Sequence, residues 1–196
     1  IMRTDIILSG VGGQGILSIA TIIGSAAINE GLYIKQAEVH GMSQRGGDVQ
    51  SNLRISSDPI ASDLIPLGKV DIIISLEPME ALRYLPYLNK EGWIITNTVP
   101  FVNIPNYPDQ EKLMEQIKNL KHSVAIDVDA IAKSVASPRA ANIVLLGAAS
   151  PFLGIETDKI EDGIRRVFEC KGEAVVEMNL KAFQAGLKYA QESLNK

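Results

Sequence analysis

Apolar positions along this chain switch between the rhythms of strand and helix. Residues 5–9 form a short apolar run, and after a cluster of glycines the apolar positions recur at Ile16, Ile19, Ala20, Ile23 and Ala27, the 3.6-residue period of a helix face. Gly31 stands where such a helix ends, and residues 32–38 return to a strand pattern. The first 38 residues therefore read as a β-α-β unit whose two strands are parallel neighbours joined by a right-handed crossover. Residues 48–55 alternate instead. Val49, Leu53 and Ile55 fall on one face and Asp48, Gln50, Asn52 and Arg54 on the other, which predicts an antiparallel strand added at a wet edge.

Further strands are expected at 70–75, 93–97 and 123–128, with Pro78 in the first turn of a helix after the first of them and another helix near 109–120. Helices follow at 139–149 behind a Ser137 cap, at 158–170 behind a Thr157 cap, and at 173–193 after Gly172. The expected fold is α/β: a doubly wound, mostly parallel but mixed Rossmann-like sheet with C-terminal helices, in a single domain spanning 1–196.

Composition narrows the chemistry. Hydrophobic residues are 46% and charged residues 21% of the chain, values of a globular protein. A net charge of −4 offers no general attraction to nucleic acid or to an anionic membrane surface, and no apolar run reaches membrane-spanning length. A cytoplasmic location is the expectation. One cysteine and two histidines leave the chain alone unable to form an internal disulfide, a zinc-finger site or a four-cysteine iron–sulfur cluster, and no metal site is expected. From Ile6 through Asn29 no residue carries a charge. The first helix is therefore expected to be covered on both sides, by the sheet and by another subunit.

Two loops concentrate the candidate binding chemistry. Gly10-Val11-Gly12-Gly13-Gln14-Gly15 matches G-x-G-x-x-G between a strand and a helix, where backbone amides can face an anion and missing side chains let a phosphate approach. Gly10, Gly12, Gly13, Gln14 and Gly15 are the cofactor-binding candidates, with Glu38 about where a dinucleotide enzyme keeps its ribose acid. Ile16 and Leu17 occupy the Lys and Ser/Thr positions of a P-loop, which argues against a nucleoside triphosphatase. The plain alternative is that these glycines only permit a tight turn and close packing.

The second loop, Glu38 to Gly47, holds a histidine, an arginine, an amide and three glycines in ten residues. His40 and Arg45 are the candidate catalytic residues. Arg45 also joins Gln44, Gly46 and Gly47 as a candidate for binding an anionic group, because its planar fork matches carboxylate or phosphate. A solvated connection is the alternative. Elsewhere, His122 is expected to complement a helix C-terminus, Cys170 to be a half-buried packing residue, Asp127 and Asp129 to cap a helix, and Asn142 to make a structural hydrogen bond.

Together GVGGQG, AEVHGMSQRGG, the segment Arg139 to Ala148 (RAANIVLLGA) and the late NLKAF at Asn179 to Phe183 resemble the gamma-type subunits of the 2-oxoacid:ferredoxin oxidoreductases, over essentially the whole chain. The form HGMSQRGG is most similar to the branch acting on arylpyruvates such as indolepyruvate. The resemblance implies a complex that decarboxylates a 2-oxoacid, transfers the acyl group to coenzyme A and reduces ferredoxin.

It also implies that thiamine diphosphate with its magnesium and the 4Fe-4S clusters sit on a partner alpha subunit. This chain would bind no cofactor alone, be inactive alone, and meet coenzyme A at the interface. The sequence agrees in having no Gly-Asp-Gly segment, Gly47-Asp48 being followed by Val49. Rival readings are a complex for another 2-oxoacid (pyruvate, 2-oxoglutarate or a branched-chain acid), an independent NAD-dependent oxidoreductase, and a nucleotide-binding regulatory module.

Overall fold

A computed structural model of the chain describes residues 1–41 and 46–195, with His40 described by its backbone alone. Its apolar runs become the strands β1 (Arg3–Val11), β4 (Val70–Ser75), β5 (Leu88–Asn97) and β6 (Ser123–Ile126), with β2 (Tyr33–His40) and β3 (Asp48–Ser56) completing a six-stranded sheet of order β2-β3-β1-β4-β5-β6. The helices are α1 (Ile16–Asn29), α2 (Pro78–Arg83), α3 (Gln110–Lys118), α4 (Val128–Val135), α5 (Ala141–Ala149), α6 (Thr157–Phe168) and α7 (Glu173–Leu194). One sheet face is buried under α1 and α4–α7, through Ile6, Leu8, Leu53, Ile72 and Ile74. The other carries Ile7, Ile73 and Ile94 beneath α2 and the segment around Ile65. The sheet is thus doubly wound and mixed.

The expected parallel pairing of β1 with β2 does not occur. β3 lies between them, antiparallel to both, with Ile6 opposite Leu53 and Gln36 opposite Leu53 on its other side. Nor is β3 a wet edge. Asn52 and Arg54 on its polar face are buried, and Arg54 is paired there: its guanidinium grips Asp5 through Nε to Oδ1 at 2.8 Å and Nη2 to Oδ2 at 3.0 Å. Arg54 Nη1 donates to the carbonyls of Ser62 and Leu64 on the strap that joins β3 to β4. A buried charge is tolerated when its partners satisfy it, and that is how a strand with a polar face reaches the sheet interior.

α1 is covered on its second flank by the chain's own α6. There a Cβ on Gly163 would stand 2.9 Å from the Ile22 carbonyl oxygen, so the helix backbones touch. Leu17, Thr21 and Ile28 remain exposed on α1. Two expected caps differ: Ser137 caps a single tight turn ahead of α5 through the Arg139 amide, and Thr157 is the first residue of α6 instead of its cap.

α5 is buried from Asn142 to Ala149, as a helix that is apolar all round must be. It crosses α7 with no side chain between the backbones. A Cβ on Gly186 would lie 1.9 Å from the Val144 carbonyl oxygen, and one on Gly147 would lie 2.0 Å from that of Phe183. Gly186→Ala must therefore push the two helices apart. It should cost about 3 kcal/mol or more, the upper end of overpacking penalties, measured by urea denaturation of the purified chain.

Candidate functional site at the carboxyl edge of the sheet

β1 ends at the glycine cluster, and α1 starts from Gly15, whose φ of +88° suits a residue without Cβ. The helix N-terminus has no side-chain cap and no acidic residue in its first turn. Its amides and dipole are left to favour a negative group at this edge. Gln14 holds the turn from inside: its Oε1 accepts from the Val11 amide at 2.7 Å, and its Nε2 donates to the Leu76 carbonyl at 3.2 Å. Asn142 ties the same turn to α5, donating from Nδ2 to the Gly15 carbonyl at 3.1 Å. The structural hydrogen bond expected of Asn142 is therefore present.

The two glycine loops meet backbone to backbone. Gly12 donates its amide to the Gly47 carbonyl at 2.8 Å, because β3 opens at Asp48 directly opposite Val11, the last residue of β1. Gly10, Gly12, Gly13, Gln14, Gly15, Gly46 and Gly47 thus lie together. Gln44 and Arg45, and the side chain of His40, lie outside the described residues. Glu38 is half-buried on β2 opposite Ser51, with β3 interposed. Strands lie about 4.8 Å apart, so Glu38 is one strand further from the glycine turn than the acid of a dinucleotide fold, where the two strands are neighbours.

A third element, 99–107, closes the edge; Pro100 and Pro105 mark it as a loop in the sequence, but nothing in the local pattern ties it to the glycine turns. Glu77, fully buried at the end of β4, accepts the Glu80 amide through Oε2 at 2.8 Å and so caps α2. Its Oε1 accepts from the Phe101 amide at 3.3 Å and from the Tyr107 hydroxyl. Burial, and then the hydrogen bond to Glu77, raises the Tyr107 phenol well above its ordinary pKa. Asn103 donates to the Gly46 carbonyl, joining this segment to the second glycine loop. Asn97 closes its root, accepting from the Val99 amide and donating to Asp129 at 3.2 Å. The visible signal was Glu77-Pro78, an acid just ahead of a helix-opening proline.

Beneath this edge Glu80 and Arg83 form a bidentate pair at 2.8 and 3.0 Å. Burial is the main reason the Glu80 carboxyl sits above the ordinary carboxylate range, with Arg83 pulling the other way. Burial also pushes the Tyr84 phenol up to about 12.

A family model described as pyruvate ferredoxin/flavodoxin oxidoreductase matches residues 5–189. The chain belongs to that family. Indolepyruvate oxidoreductase subunit IorB of Pyrococcus horikoshii is 37% identical over 202 residues, covering 97% of this chain and 98% of that one. Ketoisovalerate oxidoreductase subunit VorA of Methanothermobacter marburgensis is 25% identical over 189 residues, covering 95% of this chain but 36% of its own longer one. Among solved structures, the keto/oxoacid ferredoxin oxidoreductase gamma subunit of Geobacter sulfurreducens superposes with a TM-score of 0.71 at 28% identity, covering 96% of this chain and 99% of that one.

Within this oxidoreductase family fold the remaining single-residue expectations sort by distance from the edge. Asp127 caps α4, accepting the Ala130 amide at 2.8 Å. His122 stacks on Trp93, ring centroids 4.8 Å apart and planes 15° from parallel, at the opposite end of the strands; its ring is thus a packing surface for Trp93. Cys170 is exposed, not half-buried, because it falls in the turn that leaves α6. Among the described residues no group of three or more His, Cys, Asp or Glu is placed to hold a metal, and no helix is long and apolar enough to cross a membrane.

Gln14→Ala strips the glycine turn of its internal clamp. We expect a loss of about 1–3 kcal/mol, the cost of leaving buried backbone groups unpaired, and faster amide exchange at Val11, both measured on the isolated chain.

Proposed function

We propose that this chain is the redox-silent subunit of an indolepyruvate:ferredoxin oxidoreductase, working with a partner alpha subunit in the oxidative decarboxylation of arylpyruvates to aryl-acetyl-CoA. The observation that carries the reading is the 37% identity to an indolepyruvate oxidoreductase subunit over nearly the full length of both chains. Thiamine diphosphate with its magnesium and the 4Fe-4S clusters are assigned to the partner. The donor set here does not fit a cluster, since four thiolates are needed and the chain has one cysteine, exposed and alone. When bound there, those groups supply the decarboxylation and carry the electrons to ferredoxin.

This chain's part is to bind and orient. The uncapped N-terminus of α1 offers its amides and dipole to an anionic group, the glycines beside it lack side chains that would bar its approach, and Arg45 is the cation proposed to bind the same group. Coenzyme A, with its phosphates, is the ligand this chemistry suits, held where the carboxyl edge faces the partner. His40 is a polar contact or proton carrier there. A cytoplasmic location fits a pair that reduces ferredoxin. The dinucleotide reading loses support, because β3 separates Glu38 from the glycine turn.

The test uses the co-purified pair. Ferredoxin reduction should require both polypeptides, coenzyme A and an arylpyruvate, with pyruvate, 2-oxoglutarate and 2-oxoisovalerate giving much lower kcat/KM. Arg45→Ala should lower kcat/KM for coenzyme A at least about tenfold, as expected for losing a charge-assisted contact of 1.5–3 kcal/mol, with the pair still assembled. Preference for a different 2-oxoacid would move the chain within the family. NAD reduction by the isolated chain would contradict the reading.

A further inference from the structure

Exposed large apolar side chains gather at both ends of the strands: Ile28, Tyr33, Leu64 and Leu67 at the end where β2 starts, and a second group at the carboxyl edge. In the 99–107 segment Val99, Phe101, Val102 and Ile104 are exposed, Phe101 by 46% and Val102 by 58%. Leu17 in the first turn of α1 and Val39 near the end of β2 are exposed too, and both elements meet the same carboxyl edge. These six residues lie on the elements that meet at the glycine loops, the 99–107 segment being joined to them through Asn103 and Gly46. An apolar rim around polar loops marks an interaction site on a soluble protein.

The crest is also built to stay where it is. A loop with four apolar residues left to itself would gain by folding them inward. Here it is held from beneath by the fully buried Glu77 through the Phe101 amide and the Tyr107 hydroxyl, at its root by Asn97, and across to Gly46 by Asn103. Burying a carboxylate costs free energy unless it is satisfied. Here the satisfied carboxylate fixes a shape that presents Phe101 and Val102 to solvent. Such preorganisation raises affinity for whatever covers the surface.

We propose that the crest 99–107, latched by Glu77, is the surface on which the thiamine- and cluster-bearing partner seats over the glycine loops. The inference rests on the function proposed above. The choice of occupant follows from the fold's occurrence in the VorA relative, where the matching region is 36% of a longer polypeptide. The rest of that chain is joined covalently to this fold, so the neighbour this family supplies for an open face is a partner polypeptide of the complex. In the present chain the face that offers uncovered apolar area around the family's glycine loops is the carboxyl edge. Tyr107 and Glu77 are positioning residues, acting through the crest.

The experiment measures the dissociation constant between this chain and its full-length partner, together with the unfolding midpoint of the isolated chain. Phe101→Ser with Val102→Ser should raise the dissociation constant at least about tenfold, as for loss of a central apolar anchor, while the midpoint falls only slightly because both side chains are largely exposed and no charge is set beside the buried Glu77. Tyr107→Phe, which leaves the crest's own residues intact, should weaken binding by a smaller factor. Leu67→Asp, on the strap at the opposite end of the strands, should bind as wild type.

Wild-type affinity of the Phe101/Val102 variant, or equal weakening by Leu67→Asp, overturns the proposal. So does an isolated chain that is dimeric and made monomeric by the Phe101/Val102 change. If that variant assembles normally and the pair still reduces ferredoxin with arylpyruvate, the crest assignment falls and the function stands. A pair that docks through the crest but oxidises no 2-oxoacid has the opposite meaning. A wild-type chain that does not bind the partner contradicts both.

Discussion

The hydrogen bond from the Gly12 amide to the Gly47 carbonyl, 2.8 Å long, is the contact on which the site depends. It joins two loops that are far apart in the chain. β3 makes the meeting possible. Pairing antiparallel with both β1 and β2, it opens at Asp48 opposite Val11 at the end of β1, and so sets Gly46 and Gly47 against the turn at Gly12. Neither loop needs side chains at the contact, so both keep the open backbone through which an anionic group can approach.

Around this contact the chain spends polar groups on holding shape. Gln14 fills the inside of the first turn, Asn142 fastens it to the buried helix α5, and Asn103 ties the second loop to the crest. α5 can act as an anchor because its own position is fixed by the glycine crossing with α7, where two backbones lie in contact. Rigidity thus passes from the helical layer to the sheet edge through single hydrogen bonds. That suits the placement role proposed for this chain.

Much of this was legible from residue order. The continuous apolar runs of β1, β4 and β5 admit few other readings, and the helix face beginning at Ile16 follows from its period. The density of glycine, histidine and arginine singles out two loops in the sequence, and the structure sets Gly12 of the first against Gly47 of the second. The place of β3 was hidden, because Asn52 and Arg54 look like a solvated face until Asp5 and the carbonyls of Ser62 and Leu64 are seen to satisfy the guanidinium. Ion pairing across 49 residues leaves no mark in a local hydrophobic pattern. Glu77 was overlooked for a similar reason, since one of its oxygens is used 24 residues away at Phe101. Gly147 and Gly186 look like tolerated helix glycines until the helices that carry them are seen to cross.

The central claim is that this chain works by presenting its carboxyl edge to a catalytic partner. The most direct measurement is hydrogen–deuterium exchange on the chain alone and in the assembled pair. The account predicts slowed exchange on assembly in 10–17, 46–48 and 99–107, with the strap 57–69 at the opposite edge unchanged. Protection confined to the strap or to α7, with the glycine loops exchanging as they do in the free chain, would contradict it.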